Sequence, residues 1–220
     1  MKLVEKENCF IIEDFFDKNI IAGFGKPNLL GNPQEDLPLI LKGLSKNFPI
    51  AFLHQIHSSI INKIDAPGCY EGDGLIAKTS GLVCAVRTAD CLPVFLSSKK
   101  NKTIGMVHMG WRGAKSGILN NIKEDLTTFK AIAGVGLRQC CYAVGKDFLT
   151  YEGFPEFINE SSKGLYFNPV GFARKKLKAL GLEDENFYDL NICSLCSDKG
   201  LFSYRKNATD KRTLSFILRY

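Results

Sequence analysis

Histidine is scarce in this chain of 220 residues, with only three copies, and tryptophan occurs once. No apolar run approaches the roughly 20 residues that a bilayer-crossing helix needs, so a membrane partner is not expected. The start, Met1-Lys2-Leu3-Val4-Glu5-Lys6-Glu7, lacks the apolar stretch of a secretory signal, and a cytoplasmic location is expected. Internal repeats, low-complexity tracts and linkers are also missing, which predicts a single domain over 1–220. The formal net charge of +6 is modest and its lysines are scattered. The densest group, Ser97-Ser98-Lys99-Lys100-Asn101-Lys102, has no interleaved aromatics, which argues against nucleic acid as a partner. A weak positive excess does suit an anionic substrate such as phosphate. Eight cysteines would suggest disulfides in a secreted chain, but here reduced thiols are the better expectation.

Apolar spacing predicts a helix from Leu37 to Phe48, ended by Pro49, and a strand over Ile50–Leu53 leading to His54. Leu82–Val86 and Val94–Leu96 read as buried strands either side of a turn at Asp90-Cys91, and Thr103–His108 as a third. Gly113–Phe129 is the clearest predicted helix, with Ile118, Ile122, Leu126 and Phe129 on one stripe. Ala131–Val135 reads as a strand, Pro169–Leu180 as a helix stopped by Gly181, and Leu214–Leu218 as a terminal strand. Helices and strands mix without strict alternation, so the fold class is α+β.

All three histidines, His54, His57 and His108, fall in one quarter of the chain, with Cys91 among them. Two imidazoles and one thiolate form a set that zinc accepts, with His57, Cys91 and His108 as ligands and a fourth position left for substrate. The spacing matches no local zinc-finger pattern, so tertiary folding would have to assemble such a site. By spacing alone, ordinary core or loop histidines remain the simpler reading. Cys91 could instead be a nucleophile with His108 as base and Asp90 as orienting carboxylate. Copper is a third reading, with Met106 or Met109 nearby, although three histidines cannot supply a multicopper cluster in the usual way. Gly110-Trp111-Arg112-Gly113 opens the predicted helix and could bind an anion through backbone N–H groups and Arg112. Phe202-Ser203-Tyr204-Arg205 offers a second arginine. Cys193 and Cys196 form one C-x-x-C, for which Cys140-Cys141 looks a poor partner, so structural thiols are expected. Gly134 and Gly136 complete no dinucleotide fingerprint.

Taken together, several segments resemble the YfiH family, also called DUF152 or the multicopper polyphenol oxidoreductase (laccase-like) family. They are Leu53-His54-Gln55-Ile56-His57-Ser58, Asp73-Gly74-Leu75-Ile76, Thr88-Ala89-Asp90-Cys91-Leu92-Pro93-Val94 and Val107-His108-Met109-Gly110-Trp111-Arg112-Gly113, followed by Cys140–Gly145, Cys193–Cys196 and Phe202–Arg205. The resemblance implies a four-layer sandwich of two mixed β-sheets packed between helices, and zinc on His57, Cys91 and His108. It implies phosphorolysis of adenosine, inosine and methylthioadenosine, with adenosine deamination at the same site. Copper-dependent polyphenol oxidation and a Cys-His hydrolase editing peptidoglycan precursors are the alternatives. On this reading Asp73 and Asp90 move protons or orient ligands, while Gln55, Arg112, Ser203 and Arg205 bind nucleoside and phosphate. The expected assembly is a monomer or homodimer. The chain departs from the family pattern at Val135 in place of Pro, Ala143 in place of Glu, and Lys211 in place of the Gly of Gly-Arg.

Overall fold

The computed structural model describes all 220 residues. Two large sheets carry the fold. The first orders its seven strands β1 (Lys2–Glu5), β2 (Cys9–Glu13), β3 (Ile20–Gly25), β16 (Thr213–Arg219), β8 (Leu82–Thr88), β4 (Ile50–His54) and β6 (Gly68–Glu71). The second orders six: β15 (Phe187–Asp189), β11 (Lys130–Ala133), β9 (Leu92–Ser98), β10 (Thr103–Met109), β7 (Gly74–Ala77) and β5 (Ile61–Ile64). Both are mixed. β4 runs parallel to β6 and β8, while β16 is antiparallel to β3 and β8.

Period-two alternation explains why the central strands read as unbroken apolar runs. In β8, Leu82, Cys84 and Val86 point into the core between the sheets. Val83 and Ala85 point out, against Leu37, Ile40 and Leu41 of helix α1 (Pro33–Gly43). In β10, Ile104 and Met106 face the first sheet, and Val107 and Met109 face away. That outer face packs on helices α2 (Trp111–Lys115) and α3 (Pro169–Ala179). The layers are therefore helix, sheet, sheet, helix: an α+β sandwich of the expected kind.

Three local expectations need correction. The helix predicted over Gly113–Phe129 is only the five-residue α2, followed by single 3₁₀ turns at Leu119–Asn121 and Leu126–Thr128. Gly117 takes φ +77°, a left-handed conformation that ends the helix. The stripe was real but signified core. Ile118, Ile122, Leu126 and Phe129 are all buried in one cluster, reached by turns rather than by one helix face. The helix predicted from Leu37 begins at Pro33 instead. Asn32 caps it by accepting from the Gln34 N–H at 3.1 Å, and Ser45 at φ 54° turns the chain away before Pro49. A third, three-stranded sheet, β12 (Ala143–Val144), β14 (Gly164–Phe167) and β13 (Ile158–Ser161), adds to the two expected. A short helix α4 (Tyr204–Asn207) precedes the last strand.

The topology gathers three chain crossings. The links β4 to β5, β6 to β7 and β8 to β9 each pass from the first sheet to the second. Each crossing contains a residue at positive φ: His57 at 57°, Gly72 at 135° and Asp90 at 92°. For the two non-glycine residues such backbone costs about 1–3 kcal/mol and persists only where surrounding structure over-determines it.

Candidate metal centre and active-site cavity

His57, Asp73 and Cys91 lie at those three crossings, and His108 comes from the end of β10. Cys91 Sγ lies 3.8 Å from His57 Nε2, and the two imidazole rings are 4.9 Å apart at 74°. The Cys91 sulfur and one nitrogen from each ring all lie within 4.8 Å of one another. Gly110 permits this closeness, because a Cβ there would come within 3.0 Å of both Cys91 Sγ and His57 Cδ2.

Asp73 is fully buried and organises the group. Its Oδ1 accepts from His108 Nδ1 at 2.7 Å and from the His57 N–H at 3.1 Å. Its Oδ2 accepts from the Ser58 N–H and, at 2.7 Å, from the Ser58 hydroxyl. One carboxylate therefore fixes both the His108 ring and the backbone beside His57. In the neutral imidazole, as a metal ligand requires, Nδ1–H donated to Asp73 leaves the lone pair of His108 on Nε2.

Burial opposes ionisation of Cys91. The facing His108, with hydrogen bonds from both imidazoles, outweighs it and lowers the thiol to about 6. Burial likewise disfavours a charged His108, but the Cys91 sulfur and Asp73 raise its pKa to about 9. Both shifts run toward a thiolate facing a protonated imidazole. Two imidazoles, a thiolate and a carboxylate behind one imidazole are a donor set that zinc fits, and no fourth His, Cys or carboxylate joins the three ligands.

The group opens into a cavity of about 630 Å³, within the usual range for small-molecule sites. Arg87, Arg112, Arg205 and Arg212 line it, against only Asp90 and Asp210 of opposite charge. Two of these arginines lie on aromatic faces: Arg112 4.6 Å from the Trp111 ring centre, Arg205 4.8 Å from that of Tyr142.

The other residues expected at the site fall in different places. Asp90 lines the cavity, but its carboxylate is occupied: Oδ1 accepts from Ser194 Oγ and Oδ2 from the Arg205 N–H, both at 2.8 Å. The carboxylate that orients His108 is Asp73, so the Cys91–His108–Asp90 arrangement does not form. Gln55 also lines the cavity, with its amide exchanging two 2.8 Å hydrogen bonds with the Arg87 backbone. Arg112 and Arg205 are on the wall as expected, although the five-residue α2 offers too little helix for a dipole-based anion site. Ser203 is buried and does not line the cavity; Tyr204 does. His54 points to the surface, 3.7 Å from Glu71. Sequence reasoning missed Arg87, Tyr142 and Arg212 as wall residues. Arg87 directly precedes the Thr88–Val94 motif and Tyr142 lies within Cys140–Gly145, so both were within reach. The expectation that Cys140-Cys141 makes a poor partner for Cys193 and Cys196 needs correction, for the four sulfurs meet within 4.8 Å.

The family model described as multi-copper polyphenol oxidoreductase laccase matches residues 39–219. A purine nucleoside phosphorylase of Aquifex aeolicus is 34% identical over 167 residues, covering 72% of this chain and 75% of that protein. One of Clostridium acetobutylicum is 33% identical over 183 residues, 77% of each. The crystal structure of the Bacillus licheniformis protein YfiH superposes with a TM-score of 0.84 over 97% of both chains at 20% identity, a likeness of fold. With a family match that spans most of its length and relatives above 30% identity, the chain belongs to the multi-copper polyphenol oxidoreductase laccase family, the YfiH or DUF152 family.

Proposed function

We propose that this protein is a zinc-dependent purine nucleoside phosphorylase that also deaminates adenosine at the same site. The observation that carries the reading is the three-ligand centre at the base of an arginine-lined cavity of about 630 Å³. Relatives named purine nucleoside phosphorylase support it. His57, Cys91 and His108 would hold the metal. Zinc bound there supplies Lewis-acid polarisation of a substrate oxygen or of water. Copper has less support: Met109 faces away from His108 on β10, and Met106 is taken up in the core between the sheets.

Adenosine, inosine and methylthioadenosine are the proposed substrates. In phosphorolysis a phosphate oxygen bonds to the sugar C1′ as the bond from C1′ to the purine nitrogen breaks, and the base leaves with a proton. Arg112 and Arg205 face this anionic nucleophile with Arg87 and Arg212 beside them, and the aromatic faces beneath Arg112 and Arg205 hold those guanidinium groups in place. In deamination water adds at purine C6 and ammonia leaves. Asp73 acts through His108 and His57 as a positioning residue. Asp90 holds the wall through Ser194 and Arg205. Incubation of the metal-loaded protein with each nucleoside across a phosphate titration tests the reading. Free base and sugar 1-phosphate should appear in equal amounts and in proportion to bound phosphate. Absence of phosphate-dependent base release from all three nucleosides would overturn it.

A further inference from the structure

Away from the cavity, two segments distant in sequence bring four thiols together. Cys140 and Cys141 come from the turn after β11, and Cys193 and Cys196 from the turn after β15. All four sulfurs lie within 4.8 Å of one another, and Cys140 Sγ lies 3.7 Å from Cys196 Sγ. A tetrahedron with metal–sulfur arms of about 2.3 Å has edges of about 3.8 Å. One pair is thus already at that edge length, the other sulfurs lie within 4.8 Å, and none is paired in a disulfide.

Other bonds hold the two segments in this relation. Gly136 bridges to Cys193, and the Ser194 N–H donates to the Gly136 carbonyl at 3.1 Å. The Arg138 guanidinium ties the Gly134 and Gly136 carbonyls to Asp189, which it meets at 2.7 Å. Four crowded sulfurs cannot all ionise unless a cation joins them, whereas a coordinating metal deprotonates each outright.

We propose that Cys140, Cys141, Cys193 and Cys196 form a second, structural zinc site, closed by four sulfur ligands. A closed tetrahedral shell leaves no position for substrate and contributes folding energy. Its place in the chain gives it a role. Tyr142, next after Cys141, lines the cavity, and Ser194, between the other two ligands, donates to Asp90 at 2.8 Å. The site clamps one wall of the cavity from behind. This inference is independent of the proposed reaction and is read from metal content and coordination rather than turnover.

The test is elemental analysis with zinc-edge X-ray absorption on protein purified without chelator. Wild type should carry about two zincs per chain, one for each site. His57→Ala/His108→Ala should keep about one, with a shell of sulfur only at about 2.3 Å. Cys193→Ser/Cys196→Ser should lose that zinc and keep the other. If the cysteine variant fails to fold, the coordination shell of the histidine variant decides, and the wild-type stoichiometry needs no substitution at all. A zinc-free histidine variant, nitrogen or oxygen in that variant's shell, or an intact mass showing a disulfide among these cysteines in the protein as purified would overturn the proposal.

Discussion

Asp73→Asn isolates the part of the site that binds no substrate. The carboxylate accepts from four donors: His108 Nδ1, the His57 and Ser58 N–H groups, and the Ser58 hydroxyl. An amide of the same shape has one accepting oxygen. If that oxygen faces the histidines, the Ser58 hydroxyl can turn to accept from the amide, but the Ser58 N–H is left unpaired. An unpaired buried donor costs about 1–3 kcal/mol, and loss of charge assistance on the remaining bonds adds about 1 more. If the amide flips, its NH₂ faces His108 and forces the imidazole proton onto Nε2, the nitrogen needed for metal. Either way the expected loss is about 2–4 kcal/mol of stability, with zinc affinity down roughly 10–100-fold.

Two measurements separate these effects: urea unfolding of metal-free protein and zinc affinity by competition with a chromogenic chelator. A variant that loses stability yet binds zinc within about twofold of wild type would make Asp73 a staple of the crossings only, and refute the orienting role. Acid titration adds a signed check. Burial opposes a charged Asp73, but hydrogen bonds from His108 and Ser58 outweigh it and hold the folded pKa at about 2, below 3.8 for a free carboxyl. The carboxylate therefore contributes roughly 2 kcal/mol that is fully present above about pH 4 and lost as pH falls toward 2. The stability gap between metal-free wild type and Asp73→Asn should narrow across that window.

Cys91→Ala should abolish both metal retention at the cavity and turnover while leaving the circular dichroism spectrum native; full retention of that zinc with activity lost would make Cys91 a nucleophile. Gly110→Ala should weaken zinc binding at the cavity about tenfold with little change in stability, because the new Cβ meets Cys91 Sγ and His57 Cδ2 at 3.0 Å while the backbone at φ −81° suits any residue; unchanged affinity would show that the ligands can give way. Arg112→Ala should raise the apparent phosphate requirement by one to two decades, from the roughly 1.5–3 kcal/mol of a charge-assisted bond, and should affect deamination less; equal losses in both reactions with an unchanged phosphate curve would remove Arg112 from the anion site.

The candidate ligand set emerged from the sequence through the family resemblance, since spacing alone favoured ordinary histidines, and the structure brings those three side chains together. A chain with three histidines has few ways to make a site, and His57, Cys91 and His108 occur in short conspicuous motifs. Strands were legible where both faces are buried, since Leu82–Val86 is apolar throughout and Thr103–His108 is apolar at Ile104, Met106 and Val107. The false helix over Gly113–Phe129 shows the limit of that signal. Period-3.6 spacing reports which residues reach the core, and a chain folded into successive turns can deliver the same residues inward. The partnering of Cys140-Cys141 with Cys193 and Cys196 was not legible, because it depends on the parallel pairing of β11 with β15, which sets the two following turns side by side.

The sequence left the orienting carboxylate open between Asp73 and Asp90. In the nucleophile reading Asp90, adjacent to Cys91, drew the role by proximity, but adjacent residues in a tight turn diverge. The Cys91 sulfur turns to His57, while the Asp90 carboxylate turns to Ser194 and Arg205. Asp73 is distant in sequence, yet it sits at a crossing between the same two sheets as Cys91 and His57. A residue at such a crossing is held by strands of both layers, so its backbone can sustain the positive φ seen at His57 and Asp90. That rigidity suits a metal site, whose ligands must converge before the ion arrives. Under the proposed function the crossings would supply fixed donors, and the arginines and aromatics of the surrounding wall would supply specificity.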